Sequence, residues 1–378
     1  MTAPRSLALA LLLAVALAAC GSRNVADPAA VAAPAASLST IDRAAAIVRD
    51  SMAVNGPPGV SIAVGVNDSI VWTRGFGWAN VENAIAVTPE TRFRVGSVSK
   101  SLAAAGLARL VDDGRMAWDA SVYAYAIDFP RKRWDFTVRQ LGGHLAGVRH
   151  YRGNEFMLNQ EFPTVRDGLA VFSEDSLLFE PGTRYSYSTY GWNLMSYAME
   201  RAAGTDFLTY MRTRVFEPLA LSATGPDVGD RSPGPVTRFY GRTPGGWGEE
   251  PPVNSSYKWA GGGFLSTPDD LVRFGFGLLD LALVSRASRD VLWTSQATRD
   301  GVATEYGVGF FTRIDDAGRR VVYHSGGSIG GTTHLLIYPA ERVVVAITGN
   351  GSDIGWLGSG RVARQVADVF IKAMQPKP

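Results

Sequence analysis

Ser97 and Lys100 are the first pair in the chain whose types and spacing could do chemistry. Gly96-Ser97-Val98-Ser99-Lys100 places them three residues apart at the start of an apolar-periodic stretch, where on a helix the two side chains share a face. A serine hydroxyl is a poor nucleophile until a base removes its proton. A lysine whose pKa is depressed by burial or by neighbouring charge can act as that base. A helix N-terminus adds free backbone N–H groups and a positive dipole end where an anion would develop. Taken alone, the same spacing also fits an ordinary solvated helix start, so the rest of the chain has to decide.

The elements around the pair are readable. Residues 97–113 predict a helix with Ala103, Gly106, Leu107, Leu110 and Val111 on one face and Gly114 as its stop. Before it, 41–52 predicts a helix ended by Asn55-Gly56-Pro57-Pro58, and the runs 60–64 and 70–73 around Asn67-Asp68 predict a hairpin. The middle, about 116–255, reads as helical where it is periodic, over 191–203 and 207–215. The Gly- and Pro-rich stretch 225–263 has neither period and reads as a long loop that shapes a pocket. A helix over 267–279, strands over 306–313, 320–324, 334–338 and 343–348, and a closing helix over 360–374 follow. Sheet segments at both ends with helices between predict a mixed α/β (α+β) fold. An antiparallel sheet from about 41–115 and 256–378 would be flanked by helices, with a mostly helical lobe of about 116–255 inserted.

Composition narrows the function classes. With 37 Lys plus Arg against 35 Asp plus Glu, the formal charge of +2 offers no strong field for nucleic acid, so a small molecule or peptide is the expected substrate. The 42 Gly and 20 Pro follow no period, which excludes collagen-like and repeat architectures. The four His, at 144, 150, 324 and 334, show no two-ligand helix spacing, and the chain has a single Cys, so no metal is expected. A phosphate loop is missing too, and no cofactor is inferred. A monomer is expected.

The N-terminus reads as an export signal. Arg5 precedes an apolar run over 7–19, too short for a comfortable membrane span, which ends in Leu17-Ala18-Ala19-Cys20-Gly21. The tetrapeptide Leu17-Ala18-Ala19-Cys20 within it resembles a bacterial lipobox. The resemblance implies a signal peptide over 1–19, lipidation of Cys20, and an envelope location facing the periplasm or the outside. The Ala- and Pro-rich residues 20–40 would be a tether reaching on the order of 60 Å when extended.

Three motifs in order carry a second resemblance. Arg94-Val95-Gly96-Ser97-Val98-Ser99-Lys100 resembles the first motif of the serine β-lactamases and penicillin-binding proteins. Tyr187-Ser188-Thr189 resembles the Tyr-x-Asn element of class C enzymes and their peptidase and esterase relatives. His324-Ser325-Gly326-Gly327 resembles the Lys-Thr-Gly strand in a His-x-Gly form. The turn 141–151 is similar to the family's His-Thr-Ser-Gly-Ile segment, and 260–267 to its Gly-rich approach to a helix. The likeness spans about 45–375 and looks nearest to the mitochondrial β-lactamase-like serine proteases and their bacterial relatives.

That resemblance implies a DD-peptidase/β-lactamase-like fold and an acyl-enzyme formed on an ester or amide. Ser97 would be the nucleophile and Lys100 its activating partner. Tyr187 would relay the proton, its phenol pKa lowered by an adjacent cation. The N–H groups of Ser97 and Gly327 would form the oxyanion hole, and His324, Ser325, Gly326 and Thr189 would line the substrate. Without the motif order, Tyr187 reads equally as a packed aromatic and His324 as a strand end. Thr189 replaces the usual Asn, so the amide that would hold Lys100 is missing, and His324 replaces a Lys. Both departures favour a peptidase or esterase. The alternatives are penicillin-binding-like or weak β-lactamase activity, or a catalytically slow lipoprotein that binds cell-wall peptides. Gly326-Gly327-Ser328-Ile329-Gly330 also fits the Gly-x-Ser-x-Gly nucleophile elbow, but the residues after it read as a strand rather than the required helix.

Overall fold

The computed structural model describes residues 37–232 and 234–375, together with Met1; the expected signal segment, Cys20 and most of the expected tether lie outside them. Helix α1, Leu38–Asn55, begins earlier than its periodicity suggests, because Ser37 caps it by accepting from the Thr40 N–H at 3.3 Å. Residues 38–40 are therefore helix rather than tether. Strands β1, Gly59–Val66, and β2, Ser69–Asn80, form the expected hairpin. Asn67 and Asp68 take φ of 47° and 68°, the left-handed pair that suits a two-residue turn between twisted strands. After β3, Ile85–Ala86, come helices α2, Val98–Asp112, α3, Thr189–Ala203, and α4, Pro268–Leu279. Strands β4, Phe311–Ile314, β5, Arg320–Ser328, β6, Gly331–Tyr338, and β7, Val343–Gly349, then lead to helix α5, Arg361–Met374.

One seven-stranded sheet runs β3-β2-β1-β7-β6-β5-β4, with every neighbouring pair antiparallel. The two chain ends meet at its centre, where Val60 faces Gly349 and Val66 faces Val343. Strands β1, β6 and β7 are buried at every position because α1 and α5 pack on one face while α4 and α2 pack on the other. That double cover explains why these segments read as unbroken apolar runs instead of alternating ones. Each fully buried Ile, Leu or Phe there contributes about 1.5–3 kcal/mol.

The sheet and the helical insertion share a core. Val98 and Leu102 of α2 belong to the same buried cluster as Trp192 and Met195 of α3 and Val322 and Leu335 of the sheet. Three expectations need correction. Residues 306–310 are not strand: Tyr306 makes only an isolated bridge to Phe311, and Gly309 at φ +75° breaks the extended run before β4. The segment 207–215 is α-helical only to Met211 and continues as a π turn, Arg212–Phe216. The stretch 225–263 is no featureless loop. Gly225–Pro226 pairs with Phe264–Ser266, and Tyr240–Thr243 pairs with Gly246–Glu249 in a four-residue hairpin, too short for a period to register.

Candidate active site

Ser97 sits where the short strand Phe93–Arg94 turns into α2. It occupies the N-cap position with helical φ and ψ of −65° and −9°, and its side chain makes no capping bond, which leaves the hydroxyl available. Two glycines let the sheet approach it. Gly96 has φ +49°, and a Cβ there would lie 2.5 Å from the Gly327 carbonyl oxygen; a Cβ on Gly326 would lie 1.9 Å from the Val95 carbonyl oxygen. Strand β5 can therefore lie directly against the Ser97 backbone. Among the described residues the Ser97 N–H has no backbone acceptor, as the first N–H groups of a helix require. Ser97 and Gly327 line one cavity of about 350 Å³. A hollow of about 420 Å³ around Arg92, Asp269 and Asp270 contains none of these groups.

Lys100 is fully buried, and its Nζ lies 3.0 Å from Ser97 Oγ, 3.1 Å from Thr189 Oγ1 and 2.5 Å from the Gly261 carbonyl oxygen. Burial, and then the nearby Lys258, hold its pKa well below the ordinary lysine range. A neutral amine has two N–H donors and one lone pair. In that neutral form, with Thr189 and Gly261 taking the donors, the lone pair would be left for the Ser97 hydroxyl to donate to. The anticipated gap at Thr189 is thus filled differently: a hydroxyl occupies the place where an amide was thought necessary to hold Lys100.

Tyr187 neighbours Ser97, whose hydroxyl partly offsets the effect of burial on the phenol, and Lys100 Nζ lies 4.9 Å from the centre of its ring. Its phenol pKa is raised, not lowered as the motif implied, because enclosure among aromatic rings opposes the phenolate and the neighbouring lysine is itself depressed. Tyr187 is therefore a protonated phenol. Its segment is templated by the turn 144–150. The His144 carbonyl accepts from Ser186 N–H at 2.9 Å, and the Nδ1 atoms of His144 and His150 accept from the N–H groups of Ser188 and Thr189, both at 3.1 Å. Those bonds put the ring proton of each histidine on Nε2. Burial, then Lys100, pushes His150 down to about 4 and His144 well below its ordinary value, so both rings are neutral at pH 7.

His324 departs from its expected place. It is 1% exposed and does not line the cavity with Ser97. Its Nδ1 lies 2.6 Å from the Ser325 carbonyl oxygen and its Nε2 lies 3.1 Å from the Tyr306 hydroxyl, so Nδ1 donates and the tyrosine donates to Nε2. Burial pushes its pKa to about 3, so it stands behind Tyr187 as a neutral packing group rather than beside substrate. Ser325 and Gly326 belong to β5 and contribute through backbone, since Gly326 must lack a side chain to pass Val95. Ser328 ends β5 and is followed by the turn Ile329-Gly330 into β6, so no nucleophile elbow forms. Among the described residues, no group of three or more His, Cys, Asp or Glu is arranged to hold a metal ion.

Sequence reasoning missed Lys258. It is 2% exposed, lines the cavity and sits on the turn Ser256–Lys258 just before the short helix Trp259–Gly262 that offers its Gly261 carbonyl to Lys100. The available signal was a lone charge inside the otherwise apolar Tyr257-Lys258-Trp259-Ala260 run.

Comparison with known proteins agrees with this geometry. The family model described as Beta-lactamase matches residues 44–361. Serine beta-lactamase-like protein LACTB, mitochondrial, of Homo sapiens is 28% identical over 381 residues, covering 76% of this chain and 70% of that protein. The D-aminopeptidase of Gluconobacter oxydans is 24% identical over 316 residues, covering 81% of this chain and 58% of that protein. The D-amino acid amidase from Ochrobactrum anthropi SV3 superposes with a TM-score of 0.75 at 22% identity over 89% of this chain and 99% of that one. The octameric penicillin-binding protein homologue from Pyrococcus abyssi gives 0.74 at 23% over 86% and 77%. At such identities the structural matches speak for the fold alone, and the sequence match supplies the rest: the chain belongs to the Beta-lactamase family of serine hydrolases.

Proposed function

We propose that this hydrolase works as a peptidase or esterase in which Ser97 is the acylated residue and Lys100 its general base. The observation that carries the reading is the enclosed Lys100 amine, 3.0 Å from Ser97 Oγ and held there by Thr189 Oγ1 and the Gly261 carbonyl. As Ser97 Oγ bonds to the substrate carbonyl carbon, its proton passes to Lys100 and the carbonyl oxygen becomes an oxyanion. The N–H groups of Ser97 and Gly327 would receive that charge. Tyr187, a protonated phenol beside Ser97, hands a proton to the leaving amine or alkoxide and is reprotonated through Lys100. Water then attacks the acyl-serine by the same route in reverse.

On strand β5, the position where the resembled motif carries a Lys is here the buried, neutral His324, so no cation on that strand meets a substrate carboxylate and any such group would have to be met from another wall of the cavity. Intact mass spectrometry after fluorophosphonate treatment tests the assignment. One adduct on the wild type and none on Ser97→Ala is expected; an adduct that survives the substitution removes Ser97 from the reaction.

We also propose that the protein resides in the cell envelope, held by a lipid on Cys20. Its support is the Leu-Ala-Ala-Cys pattern after a short apolar run. Cys20→Ala should move the protein from the membrane fraction to the soluble one, and an unchanged membrane pool would remove the anchor.

A further inference from the structure

Resting on the acyl-enzyme reading above, we propose that Lys258 is the substrate's anion anchor, so that the enzyme selects esters or amides carrying a carboxylate close to the scissile bond. Three observations lead there. The Lys258 side chain is buried yet makes no hydrogen bond or ion pair among the described residues; its Nζ lies only over the rings of Phe156 and Tyr257, at 4.9 and 5.2 Å. The one carboxylate that attracts it, Asp227, is already committed to Arg94 at 2.7 Å and to Ser255 at 3.1 Å. And the cavity it shares with Ser97 contains no acidic side chain in its lining.

A buried ammonium without a counter-charge is costly, and structural lysines in protein interiors are paired. Lys258 is held down to about 8 by burial and by Arg94, which leaves it mostly charged at neutral pH. A partner from outside would reach it through the cavity that it lines together with Ser97. The aromatic faces of Phe156 and Tyr257 hold the ammonium in place without neutralising it. A carboxylate delivered to Lys258 would sit within the same enclosed volume as the carbonyl at Ser97. That carboxylate could stand on the acyl side or on the leaving-group side.

Two matched ester pairs tell these apart with the full-length protein in mild detergent. The first is mono-4-nitrophenyl succinate against its neutral methyl ester. The second is a 4-acyloxybenzoate against its methyl ester. The wild type is expected to favour the acid of one pair by about tenfold or more in kcat/KM, chiefly through KM, as a charged hydrogen bond implies. Lys258→Met should bring that ratio close to one, and Lys258→Arg should restore part of it. A wild type that treats both members of both pairs alike would overturn the proposal. So would a Lys258→Met variant that lowers acid and neutral members equally, which would mean that Lys258 acts only through the pKa of Lys100. A measurement free of variants stands beside these: succinate should protect wild-type Ser97 from fluorophosphonate where succinamide does not, and equal protection counts against the anchor. Loss of fluorophosphonate labelling at Ser97 itself would instead defeat the underlying acyl-enzyme reading.

Discussion

Thr189 stands where the resembled Tyr-x-Asn motif carries an Asn, and its short hydroxyl makes the contact to Lys100 that the missing amide was expected to make. Its Oγ1 accepts from Lys100 at 3.1 Å while its own N–H is fixed by His150 Nδ1. Thr189→Val keeps the shape and removes the acceptor, leaving a buried amine donor unsatisfied at a cost of about 1–3 kcal/mol. We expect the acylation rate to fall roughly tenfold or more, which stopped-flow labelling would read. Thr189→Asn should retain more activity than Thr189→Val, and the reverse order would count against this role. None of this is visible in the sequence, where Thr189 registers only as a missing Asn. Lys258 was equally hidden, because what marks it is the absence of a partner, a property of the folded neighbourhood and not of the residue type.

At the scale of elements, the turn into α2 and the strand β5 must come together for Ser97 and Gly327 to face one cavity. Gly96→Ala would force a side chain at φ +49° into the Gly327 carbonyl, at a cost on the order of 1–3 kcal/mol from backbone strain alone. The expected result is a lower unfolding temperature together with a large loss of Ser97 labelling; retained labelling at wild-type rate would mean that the close approach does not matter. Both elements were legible in the chain. The helix after Ser97 has a full apolar face and a Gly stop, and β1, β6 and β7 stand out as apolar runs. The paired segments within 225–263 were not, since two- and four-residue strands set by turns and by neighbours leave no period. Boundaries moved where a cap decided them, as Ser37 does for α1.

Across the whole molecule, all four histidines are held below their ordinary value of 6.5, each chiefly by burial: His150 to about 4, His324 and His334 to about 3, and His144 well below normal. The unfolded chain therefore binds protons that the folded chain refuses once the pH drops under 6.5. Their contribution is absent above that value and destabilises progressively as the pH falls toward 3. Below about pH 6 and down to about pH 4, His150, His324 and His334 together approach about 4 kcal/mol per pH unit, large against a typical total stability of about 5–15 kcal/mol. Denaturant midpoints should drop steeply between pH 6.5 and 5; a flat profile over that range would show that these rings are protonated in the fold.

The central claim is that Lys100 meets Ser97 as a free amine at neutral pH. The most direct test is the second-order rate of fluorophosphonate labelling of Ser97 as a function of pH, in the wild type and in Lys100→Met. Because the active form is deprotonated, the rate should be on its upper plateau at pH 7 and should fall only as acid protonates the amine, with that dependence gone in the variant. A rate that is low at pH 7 and climbs through the ordinary lysine range near 10.5 would show a charged Lys100 and contradict the account.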